Sequence, residues 1–165
     1  MRDQVKINNF RRFNDHITTS GQPDEDQLKR LADIGVAHII NLALHTHEDA
    51  LPDERASVEA LGMEYIHIPV AFDTPTEAHF RRFCEAMQRI GNARVHIHCM
   101  VNARVTAFLY RYQRDVVHAD ADAARAMMLS IWQPGGKWAQ FIGDSARADQ
   151  PQGGPLGCDD WASGL

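Results

Sequence analysis

Apolar positions along this chain of 165 residues switch repeatedly between helical and strand spacing. Leu28, Leu31 and Ile34 share one face of a helix over residues 24 to 35, with Asp24 as N-cap or first-turn acid and Gly35 as the stop. Two short extended pieces precede it between Phe10 and Ser20. Val36 to Leu44 is a near-continuous apolar run, the pattern of a strand covered on both faces. The pattern then repeats, with a helix from Pro52 to Leu61 closed by Gly62 and an alternating strand from Met63 to Val70. A third helix over Thr76 to Ile90 places Phe80, Phe83, Cys84, Met87 and Ile90 at helical spacing, and a strand follows over Arg94 to His98. Helices are expected at Ala103 to Val117, Ala121 to Trp132 and Lys137 to Ala146. The alternation predicts an α/β fold, a central mostly parallel sheet flanked by helices. Residues 1–148 form a single domain in this reading, and residues 149–165, rich in Pro, Gly and Asp, form a flexible C-terminal tail.

Composition narrows the class without naming a function. Apolar content of 44% and charged content of 24% are those of a soluble globular domain. No stretch approaches the roughly 20 apolar residues of a spanning helix, and the first residues carry no apolar leader. A cytoplasmic protein that engages no membrane is therefore expected. A net charge of −5 gives no broad basic field for nucleic acid, so none is expected as a partner. Three cysteines, Cys84, Cys99 and Cys158, form no disulfide framework and suit a reducing compartment. The apolar helix faces are accounted for by one core, which makes a monomer the default.

The chemistry concentrates in VHIHCMVNARVTAF, Val95 to Phe108. A strand, a loop beginning with Cys99 and a helix carrying Arg104 in its first turn together make an anion site. Loop N–H groups and the helix N-terminus aim partial positive charge at one spot. That field favours a thiolate and so supplies a nucleophile. The planar fork of Arg104 can hold two oxygens of a phosphoryl group, which a Lys would do less well. Taken alone, Cys99 would read as a buried filler and Arg104 as a surface residue; their shared context argues otherwise.

His98-Cys99 and Arg104 resemble the signature loop of cysteine-dependent protein tyrosine and dual-specificity phosphatases, H-C-x-x-x-x-x-R followed by Ser or Thr. TSGQPDEDQLKRLADIGVAHIINL, IPVAFDTPTEAHF and VHIHCMVNARVTAFLYRY are similar to a small bacterial group of dual-specificity-like phosphatases, DUF442, related to the phosphatase-like part of beta-lactamase-hydrolase-like proteins. The resemblance spans roughly residues 8 to 118. It implies a cysteine phosphatase fold, a Cys99 nucleophile, a phosphate-gripping Arg104 and a general acid on the loop before the third helix, where Asp73 is the candidate. Met100, Val101, Asn102, Ala103, His98 and Thr106 would line the phosphate. The reaction needs no cofactor and no metal, and the partner is a phosphorylated substrate, protein or small molecule. Glu48, Asp49 and Asp53 are fallback acids.

Two departures keep other readings open. Only Met100, Val101, Asn102 and Ala103 separate Cys99 from Arg104, one residue fewer than in the large family, and none is Gly. Asn102 is then the residue most tolerant of a left-handed turn. Val105 stands where the hydroxyl residue is usual, with Thr106 one place later. The short loop equally resembles that of rhodanese-type sulfurtransferases, in which Cys99 would carry a persulfide. A catalytically inactive phosphate-binding module is the third reading. The remaining candidates have plainer explanations: His45, His47, Glu48 and Asp49 as a polar loop rather than metal ligands with His96 and His98, Arg81, Arg82 and Arg89 as a solvated face, Cys84 as core, and Trp132 and Trp138 as packing.

Overall fold

The computed structural model describes residues 5–154. Five strands, β1 (Arg11–Arg12), β2 (Ile17–Ser20), β3 (His38–Asn41), β4 (Glu64–His67) and β5 (Val95–His98), form one sheet in the order β1-β2-β5-β3-β4. β1 runs antiparallel to β2, and the other neighbours are parallel. Parallel neighbours need crossover connections. These are α1 (Glu25–Asp33), α2 (Glu54–Ala60) and α3 (Glu77–Ile90), after which α4 (Ala103–Tyr112), α5 (Ala121–Leu129) and α6 (Gly136–Phe141) complete the chain. The sheet flanked by helices is the one the periodicity anticipates.

Alternation along the strands sorts side chains onto two faces. Ile39 joins Leu28, Leu31, Val58 and Met63 under α1 and α2, whereas Ile40 and Ile97 join Phe83, Phe108, Trp132 and Trp138 under the later helices. Fully buried Phe83 and Phe108 meet edge to face at 5.5 Å, a contact whose loss to Ala would cost about 3–5 kcal/mol. Helix starts follow local chemistry. Asp24 caps α1 by accepting from Gln27 N–H at 2.8 Å, and the Gln27 side chain accepts from Asp24 N–H at 2.8 Å, a capping box.

Several boundaries differ from the expected ones. Only four residues of the run Val36–Leu44 are paired as β3; Val36 and Ala37 lead into it, and Leu42 to Leu44 continue into the loop at the C-terminal edge of the sheet. The expected helix to Val117 ends as α4 at Tyr112 and winds on as a wider turn, Gln113–Val117, stopped by His118 at φ 58°. α5 stops at Leu129, where Ile131 and Trp132 N–H both turn back to Met128 C=O. α6 is broken after Phe141, where Gly143 takes φ 79°. Gln133 and Gly153 exchange backbone hydrogen bonds at 2.8 and 2.9 Å, so residues 149–154 return to the body. The rest of the expected tail, with Cys158, lies outside the described residues. Among the described residues no helix is long and apolar enough to cross a membrane.

Candidate active site

The site grows from the alternation in VHIHC. Val95 and Ile97 enter the larger core, so His96 and His98 face the α1 and α2 side and Cys99 emerges at the C-terminal edge of β5. Both histidines are fully buried and both find polar partners. His96 accepts at Nδ1 from Thr18 Oγ1 at 2.7 Å and donates from Nε2 to Ser20 Oγ at 2.7 Å, because the Ser20 hydrogen goes to Gly21 C=O. Burial first, and the neighbouring His98 second, hold His96 well below the usual histidine value, so it is neutral. His98 Nε2 lies 2.8 Å from Glu54 Oε2, and its Nδ1 lies 3.2 Å from Cys99 C=O.

Cys99 is fully buried, and the loop after it is held by its carbonyls. Met100 C=O accepts from Gln22 N–H at 3.1 Å, and Val101 C=O accepts from Asn9 Nδ2 at 2.9 Å. Asn102 C=O accepts from Thr106 N–H and Oγ1. Among the described residues, the N–H of Met100 meets no acceptor. The loop has its acceptors bonded to the protein and the Met100 donor in hand, the polarity of an anion cradle.

The short loop closes through two special positions. Asn102 sits at φ 71°, ψ 10°, in the left-handed region, and its Nδ2 donates to Asn9 C=O and Thr19 Oγ1, each at 2.9 Å. The Asn9 side chain therefore holds the Val101 carbonyl while the Asn102 side chain holds the Asn9 carbonyl. Gly21 forms a bridge to Val101, and a Cβ there would come within 2.4 Å of Met100 C=O. No other residue fits that approach.

Arg104 belongs to the first turn of α4 yet is only 4% exposed. Its Nη1 donates to Val70 C=O at 2.7 Å, and its guanidinium carbon stands 5.9 Å from the centre of the Phe72 ring. Its Nε is buried and has no partner among the described residues. Trp138 Nε1 donates to Phe72 C=O at 2.5 Å, so α6 holds the same β4–α3 loop. That loop carries Asp73, exposed, with a carboxylate oxygen accepting from Thr74 Oγ1 at 2.8 Å.

The other candidates are placed as follows. Thr106 is fully buried; its hydroxyl donates back to the Asn102 and Ala103 carbonyls and accepts from Trp132 Nε1 at 3.2 Å. Asp53 caps α2 by accepting from Ala56 N–H at 3.1 Å, and Glu48 is exposed. Asp49 lines a concavity of about 330 Å³ beside the Cys loop, together with Asn8, Gln22, Asp24, Met100 and Val101. His45 stacks on His67 with ring centres 3.7 Å apart, and among the described residues no three of His, Cys, Asp and Glu gather as metal ligands. Trp132 and Trp138 are buried and meet edge to face. Cys84 is half-buried at the core's edge, where burial pushes its thiol up. Glu54, Gln22 and Asn9 had drawn no notice in the sequence. Glu54 resembles any first-turn acid there, and Gln22 any residue of a Gly-Gln-Pro break.

Comparison with known proteins agrees with this fold. A putative phosphatase (DUF442) from Shewanella putrefaciens superposes with a TM-score of 0.75 at 29% identity, covering 84% of this chain and 91% of that one. The core catalytic domain of the PP-IP phosphatase SIW14 from S. cerevisiae gives 0.64 at 15% identity, covering 84% and 86%. The P. aeruginosa protein TpbA in complex with pTyr gives 0.59 at 18% identity, covering 78% and 74%. The fold is that of the cysteine phosphatases. Within it, the strand, Cys loop and helix from Val95 to Tyr112 form the edge of the sheet at which Arg104 meets the β4–α3 loop. Among curated proteins the chain is 33% identical over 96 residues to the beta-lactamase hydrolase-like protein of Agrobacterium fabrum, a match covering 56% of this chain. It spans 22% of that relative's length. No family model matches the chain. The phosphatase-fold neighbours support a phosphatase.

Proposed function

We propose that this chain is a cysteine-dependent phosphatase that hydrolyses a phosphomonoester through a phosphocysteine. The observation that carries the reading is the buried Nε of Arg104, which has no partner among the described residues, beside a loop whose carbonyls are bonded away. An anion with several oxygens suits that place.

The Cys99 thiolate attacks phosphorus as the bond to the leaving oxygen breaks. The amides of Met100, Val101, Asn102 and Ala103 and the free edge of Arg104 stabilise charge on the equatorial oxygens. Asp73, on the loop held to Arg104 through Val70, gives its proton to the leaving oxygen. As a carboxylate it then takes a proton from the water that attacks phosphorus; the S–P bond breaks and inorganic phosphate leaves. His98 and Thr106 act from behind the loop, holding its carbonyls. The concavity beside the loop carries Asp24 and Asp49 and no Lys or Arg among its described lining residues. It suits a leaving group with hydroxyl or amine groups, a phosphotyrosine or phosphoserine protein or a neutral small molecule, better than a polyanion.

The short Cys99–Arg104 spacing favours one rival, persulfide transfer, since a smaller cradle suits sulfur. Hydrolysis of para-nitrophenyl phosphate by the wild type, Cys99→Ser and Asp73→Asn, with thiosulfate sulfurtransferase assayed on the same preparations, separates the two. Phosphate release that requires Cys99 supports the phosphatase; Cys99-dependent sulfur transfer without it overturns the reading. Phosphopeptide binding without either turnover would leave a phosphate-binding module.

A further inference from the structure

The proposed reaction uses Cys99, Arg104 and Asp73 and leaves a buried acid without a task. Glu54 opens α2 and is only 2% exposed. A carboxylate taken out of water is costly unless it is paired and fully bonded. Both its oxygens are engaged, Oε2 with His98 Nε2 at 2.8 Å and Oε1 with Gln22 Nε2 at 2.7 Å. Each partner reaches the Cys loop in turn. Gln22 N–H donates to Met100 C=O, and His98 Nδ1 lies 3.2 Å from Cys99 C=O.

The proton count on His98 follows from its neighbours. A backbone carbonyl only accepts, so His98 Nδ1 carries the hydrogen in that bond, and one further hydrogen bridges Nε2 and Glu54 Oε2. Burial works to raise the Glu54 carboxyl, and the His98 charge, with the bonds from His98 and Gln22, overcomes it and holds the group below its ordinary value. The other titratable groups of the cluster are Tyr65 and His67 on β4, His96 on β5, and His45, stacked on His67. Burial keeps Tyr65 high and His67 and His96 low. Glu54 and His98 are thus the hydrogen-bonded acid–base pair directly behind the nucleophile.

We propose that Glu54 is a positioning residue for Cys99: its two oxygens hold His98 and Gln22, so that His98 Nδ1–H fixes the Cys99 carbonyl and Gln22 N–H fixes the Met100 carbonyl, which keeps the loop amides turned to the Cys99 sulfur, where they favour the thiolate. Its effect on turnover rests on the phosphatase reading, whereas its effect on the thiol does not. The carboxylate is indispensable in this arrangement, because a Gln in its place has a single acceptor oxygen and cannot accept from both His98 and Gln22.

The test follows the ultraviolet absorbance of the Cys99 thiolate against pH, as the difference between each protein and its Cys99→Ser counterpart. Glu54→Gln is expected to move the half-point of thiolate formation up by about one pH unit. It should lower kcat on an aryl phosphate by about ten-fold near neutral pH, with little change in KM. His98→Gln is expected to give the same upward shift, and Glu54→Gln added to His98→Gln to give none beyond it. An unmoved half-point in folded Glu54→Gln or in His98→Gln, or a second shift of equal size in the double variant, would overturn the proposal. Should Glu54→Gln fail to fold, the His98→Gln titration decides alone. Thiolate shifts as expected in a protein that releases no phosphate would uphold Glu54's role and sink only the phosphatase reading.

Discussion

Arg104 donates its Nη1 to the carbonyl of Val70 at 2.7 Å, which joins the proposed anion grip to the loop that carries Asp73. One side of the guanidinium holds protein, and its Nε is left for a ligand. A lysine cannot divide itself this way.

Arg104→Lys is therefore expected to lower kcat/KM on an aryl phosphate by about 10²–10³-fold. The Cys99 thiolate should still form. Steady-state kinetics beside a phosphate-binding titration check this, and wild-type turnover in Arg104→Lys would remove Arg104 from the site.

Asp73→Asn should lower kcat by about 10²-fold, because the amide has no proton to give a leaving oxygen. The loss should shrink with leaving groups that need no protonation, which a series of aryl phosphates of rising acidity measures. Asp49, beside the same loop, provides the comparison. A larger loss in Asp49→Asn than in Asp73→Asn would exchange their roles.

The left-handed Asn102 governs stability more than its exposure alone suggests. Asn102→Ala loses the bonds to Asn9 and Thr19 and strains the backbone, and should destabilise the fold by about 2–4 kcal/mol. Asn102→Gly relieves the strain and should recover about 1–2 kcal/mol of that loss. Urea unfolding midpoints of the three proteins decide the matter, and equal destabilisation by Ala and Gly would refute the strain account.

Buried His96 makes folding sensitive to mild acid. The unfolded chain takes up a proton near the ordinary value of 6.5, whereas the folded chain holds His96 neutral to much lower pH. Below about pH 6.5 the unfolded state binds more protons, so stability falls as pH falls, approaching about 1.4 kcal/mol per unit. Glu54, held below 4.5, adds a second loss as pH drops through its folded value. Urea unfolding between about pH 7 and pH 5 tests the first window, and His96→Gln should flatten the slope there.

The placement of Cys99 and Arg104 on a strand, a loop and a helix was legible because those elements are contiguous in sequence. Asp24 was legible as a cap for the same reason, with Gln27 three places on. Glu54 was not, since its meaning depends on His98, brought beside it only when β5 pairs with β3. Asn9 and Gln22 share that blindness: each acts on the loop from a segment far away in sequence. Thr106 was seen as a phosphate-side hydroxyl, but its hydrogen is committed to the turn before it, a choice of rotamer that spacing does not encode. The last helix ended early where Gly143 takes positive φ.

The contact between Gly21 and Met100 bears on how relatives of this chain are recognised. With a Cβ at residue 21 reaching the Met100 carbonyl, the glycine of Ser20-Gly21-Gln22 is as much a part of the short loop as the residues between Cys99 and Arg104. Chains that keep a Cys and an Arg at this spacing but carry a larger residue at the matching end of β2 must seat the loop differently. A genome survey that requires both segments would separate enzymes sharing this cradle from those that share only its spelling.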